Sequence, residues 1–155
     1  MPLAQGRGRQ IANRQLVSEK TTTLIYNEAS GEAGTPQSSL SIIMGEGCGA
    51  GQAGYCGSDG LGYLADNTSL DTAAEFIFLQ DGLTGDVISV IQDGEVYYSR
   101  YSYLPGGQFT AGEPVYLSTA GDVTDTEPTT NVWQYLGFAT GLDRFIVHID
   151  EPILL

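Results

Sequence analysis

The chain reads as mostly β: a small antiparallel β-barrel or sandwich with an extended N-terminal arm and a glycine-rich loop. Three observations predict this. Nine tyrosines, five phenylalanines and a tryptophan suit a pleated, half-buried surface. Twenty-one glycines in 155 residues break helices and mark turns. Short alternating runs separated by turn pairs recur through the second half of the chain.

Three segments follow. Residues 1–20 form a basic arm, with a short helix from Ile11 to Ser18 or an extended path as equal alternatives. Residues 21–80 form a connector. Within it Thr21–Tyr26 and Leu40–Met44 are strands, being β-branched, aromatic or aliphatic. Residues 45–62 contain eight glycines and predict a long loop that buries little. Asp71–Glu75 predicts a short helix start capped by Asp71 or Thr72, with Phe76–Leu79 as helix or strand. Residues 81–155 form the compact β domain, the one stretch dense enough in β-formers to predict a core.

That stretch carries three predicted hairpins. Val87–Gln92 and Glu95–Tyr103 flank Asp93-Gly94, a pair that tolerates the positive φ of a type I′ turn. Alternation puts Val96 and Tyr98 on one face, Tyr97, Ser99 and Tyr101 on the other. Pro114–Ser118 and Asp122–Thr124 flank Ala120-Gly121. Val132–Thr140 and Arg144–Ile149 flank Gly141-Leu142-Asp143, with Phe145, Val147 and Ile149 facing opposite to Ile146, His148 and Asp150.

Charge is segregated. Residues 1–20 hold Arg7, Arg9, Arg14 and Lys20 against Glu19, a net of +3; the rest carries −16. So acidic a body repels nucleic acid and anionic membranes, so neither is an expected partner. The basic arm reads either as a docking element for an acidic protein surface or as a solvated terminus. No apolar run reaches the roughly 20 residues of a membrane span. The polar, basic start lacks the apolar stretch of a signal peptide, which predicts synthesis in the cytoplasm and exit by lysis or within a particle.

No catalytic set emerges, and no cofactor is expected. Gly49-Ala50-Gly51-Gln52-Ala53-Gly54 matches G-x-G-x-x-G, yet the following Tyr-Cys-Gly-Ser-Asp-Gly cannot start the helix a dinucleotide needs. Cys48 and Cys56 cannot close a zinc site; they are either a disulfide across the glycine loop or, in a reducing compartment, free thiols. His148 reads as a strand histidine rather than a partner for either thiol. Asp122, Asp125 and Glu127 lack the spacing of a calcium loop and read as solvated turns. Tyr97, Tyr98, Tyr101, Tyr103, Tyr116, Trp133 and Tyr135 read as core packing, as an oligomer interface, or as both.

The run Ala111-Gly112-Glu113-Pro114-Val115-Tyr116-Leu117-Ser118, then Gly121-Asp122-Val123-Thr124 and Tyr135-Leu136-Gly137-Phe138-Ala139, resembles the small β domain of tailed-phage capsid decoration (cement) and head-fibre proteins. The resemblance covers roughly residues 81–155. It implies a non-enzymatic virion protein. Such proteins bind the outside of an icosahedral shell, often as trimers, and clamp neighbouring major capsid protein subunits. On that reading Arg7, Arg9, Arg14 and Lys20 dock on the capsid. Tyr97, Tyr98, Tyr101, Tyr116, Trp133 and Tyr135 then supply the homotrimer contacts. The alternative is a head- or tail-fibre module that binds a host-surface receptor or glycan.

Overall fold

The computed structural model describes residues 25–30, 36–99, 101 and 109–155. The described chain is mostly β, in two main antiparallel sheets packed face to face, a sandwich rather than a closed barrel. The first sheet contains β1 (Ile25–Ser30), β2 (Pro36–Ile43), β3 (Ala53–Cys56), β4 (Gly62–Leu64), β5 (Phe76–Phe78) and β6 (Val87–Ile91), in the order β1-β2-β6-β5-β3-β4. The second contains β7 (Asp93–Tyr97), β8 (Pro114–Leu117), β9 (Val123–Thr124), β11 (Tyr135–Gly141) and β12 (Arg144–His148), in the order β7-β12-β11-β8-β9. A ribbon of β10 (Val132–Trp133) and β13 (Ile153–Leu154) completes it.

Two cores result. Between the sheets lie Ala53, Ile77 and Ile91 from the first and Val96, Val115, Leu117, Leu136, Phe145 and Val147 from the second. A second core of Leu40, Ile42, Met44, Cys56, Phe76, Phe78, Ile88 and Val90 sits on the other face of the first sheet. β5 is therefore buried on both faces, Phe76 and Phe78 one way and Ile77 the other. The first sheet curls around this second core until Met44 at the end of β2 bridges Gly62 of β4. Glycine permits the curl: a Cβ at Gly54 would lie 2.4 Å from the Phe78 ring.

The expected strand at Leu40–Met44 corresponds to the end of β2, but the expectation of a loop over 45–62 and of a core confined to residues 81–155 is corrected. β2, β3, β4 and β5 all precede residue 81, and the inter-sheet core draws on both sides of that position. Residues 45–62 hold β3 and the start of β4, because the glycines there make room for large neighbours instead of only loosening the chain. The predicted helix start is one 3-10 turn, Leu70–Thr72, capped by the Ser69 side chain, which accepts from Asp71 N–H, and Phe76–Phe78 is strand. Of Thr21–Tyr26, β1 includes Ile25 and Tyr26; residues 21–24, like the arm at 1–20, lie outside the described residues.

The Asp93-Gly94 hairpin does not form. β6 pairs with β2 and β5, whereas β7 pairs with β12, opposing Asp93 to His148 and Gly94 to Val147. A hairpin would have held both strands in one sheet. Instead β6 fills the middle of the first sheet, with Ile88 and Val90 in the second core, and Val96 of β7 serves the inter-sheet core. The second hairpin matches expectation, and the third matches over β11 and β12, while Val132 and Trp133, expected in the same strand as β11, pair with β13 instead. β8 and β9 pair around Ala120 and Gly121, whose φ values are 53° and 82°. β11 and β12 pair with the predicted inward face of Phe145 and Val147.

Candidate interaction surface

The tyrosines divide into struts and surface. Tyr98 is 6% exposed and donates its hydroxyl to the Leu79 carbonyl at 2.9 Å; Tyr101 is fully buried and donates to the Gly51 carbonyl at 2.9 Å. Each thus ties the chain after β7 to a carbonyl of the segment before β6. Tyr101 also packs against Phe109 and Phe145, at centroid distances of 5.1 and 5.6 Å. The alternation that put Tyr101 on the face opposite Val96 and Tyr98 fails because β7 ends at Tyr97, and all three side chains join the same core. Tyr116 is likewise buried, its ring 5.6 Å from that of Trp133. Tyr98, Tyr101 and Tyr116 are therefore corrected from interface to fold; Tyr97, Trp133 and Tyr135 stay half-buried. Replacing Tyr101 with Phe leaves the Gly51 carbonyl without that donor. It should cost about 1–2 kcal/mol in urea denaturation while the oligomeric state by light scattering stays unchanged.

The outer face of the second sheet carries one exposed apolar feature. Ile146, Phe138 and Pro114 sit side by side across β12, β11 and β8, and Phe138 is 42% exposed. Arg144 flanks the row, its guanidinium 4.5 Å from the Tyr97 ring centre and its Nε 3.0 Å from Asp143. A second apolar group, Ile153, Leu154 and Leu155, is exposed on and beside β13.

Among the described residues, the cysteines, His148 and the acidic turn do not converge on one site. Burial, reinforced by Asp81, pushes the Cys48 thiol up to about 11, so at neutral pH it is not a thiolate nucleophile. Cys48 and Cys56 are separate thiols; Cys48 leans on the Gln80 carbonyl and Cys56 on that of Gly57. His148 is exposed on β12 in the other sheet, 3.7 Å from Asp150. In the G-x-G-x-x-G segment Gly49 N–H donates to Gln52 Oε1 and Gly51 N–H to the Phe78 carbonyl, so those amides serve the fold. Glu127 accepts from Trp133 Nε1 at 2.8 Å, and among the described residues no three ligating side chains cluster for a metal. Arg7, Arg9, Arg14, Lys20, Arg100 and Tyr103 lie outside the described residues.

Sequence reasoning missed one surface. Tyr55 and Tyr63 stand opposite each other on β3 and β4, ring centres 5.8 Å apart, beside Glu46 and Asp59. The signal was present in Gly45 and Gly57: a Cβ at either would lie 2.6 and 2.7 Å from the Tyr63 ring, which rests on their backbone.

Comparison with known proteins gives no family: no family model matches the chain, and no curated relative does.

Proposed function

We propose that the chain is a structural virion protein that binds the outside of an icosahedral phage capsid and stabilises contacts between major capsid protein subunits. The observation that carries this reading is the segregation of charge. Arg144 is the one Lys or Arg among the described residues, while Arg7, Arg9, Arg14 and Lys20 are concentrated in the first 20. A rigid acidic body with a short basic segment suits a clamp: the segment reaches an acidic groove, and the body sits across a subunit junction.

Two further features support the reading. The residues that resemble phage β modules fall on β8, β9 and β11, neighbours in one sheet. The outer face of that sheet carries the Ile146–Phe138–Pro114 row, half-buried at its ends and exposed at Phe138, an apolar strip of the kind that marks contact surfaces. In a homotrimer, the half-buried Tyr97, Trp133 and Tyr135 would supply the intersubunit contact. The role requires no catalytic group and no cofactor.

The variant R7A/R9A/R14A tests the docking assignment. Its affinity for shells assembled without this protein should fall about tenfold at low salt, with a shallower salt dependence than the native chain. Unchanged affinity and salt dependence would remove these residues from the interface.

A further inference from the structure

We infer that the Tyr55–Tyr63 face is a cradle for a cationic side chain, and that its occupant is the basic segment 1–20 of the same chain.

The cradle is built rather than accidental. Tyr55 and Tyr63 present two rings from directly opposed strand positions. The Tyr63 ring is seated on the backbone of Gly45 and Gly57, and its hydroxyl donates to Asp59, which also accepts from Leu61 N–H. Glu46 accepts from Leu64 N–H at 2.7 Å, which holds its carboxylate beside the same strand. Fixed carboxylates beside aromatic faces attract a guanidinium or ammonium through both charge and ring quadrupole. The molecule already uses this combination once: Arg144 lies over Tyr97 with Asp143 at its Nε. The negative charge is felt at the rings. Burial first, and then Glu46, Asp59 and Glu75, raise the Tyr55 hydroxyl above its ordinary value.

Topology delivers the occupant. β1 runs antiparallel to β2, with Ile25 opposite Ser41, so the chain enters β1 at the β2 end that leads to Gly45. Met44 uses its N–H and carbonyl toward Asp86 and Gly85, on the β6 side. Gly62, which accepts from Gly45 N–H, therefore lies on the opposite side of β2, the side that β1 occupies farther along. Ser41 to Gly45 spans about 13 Å of strand. The five residues from Lys20 to Ile25 reach at most about 17 Å, and Arg14 reaches farther still. The concentrated cations of the chain are thus tethered next to a cation cradle. Tethering converts a weak contact into one favoured by high effective concentration.

Limited trypsin digestion of the full-length chain tests this without any shell, so its outcome is separate from that of the capsid reading. The variant E46Q/D59N removes both charges, keeps an acceptor oxygen for Leu64 N–H and one for Leu61 N–H, and turns an Asn amide N–H toward the Tyr63 hydroxyl oxygen, which can accept it. Cleavage after Arg14 and Lys20 should be roughly tenfold slower in the native chain than in E46Q/D59N at low salt, and the difference should vanish near about 0.5 M salt. Cleavage after Arg144 should be equal in the two, showing that both bodies are folded. Tyr63→Leu, which keeps the carboxylates, should lose part of the protection. Equal cleavage rates after Arg14 and Lys20 in native and E46Q/D59N chains would overturn the cradle. Protection that weakens on dilution would overturn the assignment to the same chain.

Discussion

Replacing Gly137 with Ala should abolish the cooperative fold, or cost on the order of 5 kcal/mol, a large share of a domain's total stability. Gly137 sits in β11 at φ +148°, opposite Val147, where the register of β11 with β8 shifts. A Cβ there would stand 1.8 Å from the Ile146 carbonyl oxygen and 3.1 Å from the Phe145 ring. The first obstacle is backbone, so no side-chain rotation relieves it. β11 lies between β12 and β8 and cannot move without opening the inter-sheet core. Gly85, at φ +91°, has open space around its Cβ position and provides the contrast. Ala there should cost only about 1 kcal/mol from the backbone conformation alone. Thermal unfolding of the two variants side by side reads out the difference.

The second large effect concerns Gln134. It is 1% exposed, lies between β10 and β11, and bonds three backbone groups. Its Oε1 accepts from Ala74 N–H at 2.8 Å, and its Nε2 donates to the carbonyls of Ala74 and Asp150, each at 3.0 Å. The side chain thereby fastens the segment before β5 to the end of the chain. Gln134→Leu keeps the volume and removes all three bonds, leaving one donor and two acceptors without that partner. At about 1–3 kcal/mol for each group stranded in the interior, the loss should reach roughly 3 kcal/mol or more in denaturant unfolding. Gln134→Glu should also destabilise, because a carboxylate cannot donate to the two carbonyls.

The sequence made some of this legible for local reasons. Ala120-Gly121 between two β-forming runs predicted the β8–β9 hairpin, because the turn itself demands those φ values. The alternation of Phe145, Val147 and Ile149 predicted the inward face of β12 because a half-buried strand has a period of two. Asp93-Gly94 misled for a complementary reason. Its turn chemistry is equally good, but β6 sits between β5 and β2, and both β2 and the β12 partner of β7 lie more than about 40 residues away in sequence, where no local pattern reports them. The glycines of residues 45–62 misled because glycine serves two opposite ends. It loosens an exposed chain, and it lets a strand press against Phe76, Phe78 or Tyr63. Residue type alone sends all the tyrosines to one role, whereas burial separates Tyr98 and Tyr101, which brace the segments before β6 and after β7, from Tyr97 and Tyr135. Tyr55 and Tyr63 went unnoticed because their pairing depends on a β3–β4 register hidden in that glycine-rich stretch.

The most direct measurement is co-sedimentation of the purified full-length chain, and of a chain lacking residues 1–20, with empty phage shells assembled without this protein. The capsid-clamp account predicts that the full chain pellets at a saturating ratio set by the shell lattice, and that the shortened chain stays in the supernatant. If neither chain pellets with shells, the clamp account is contradicted and the receptor- or glycan-binding fibre reading takes its place.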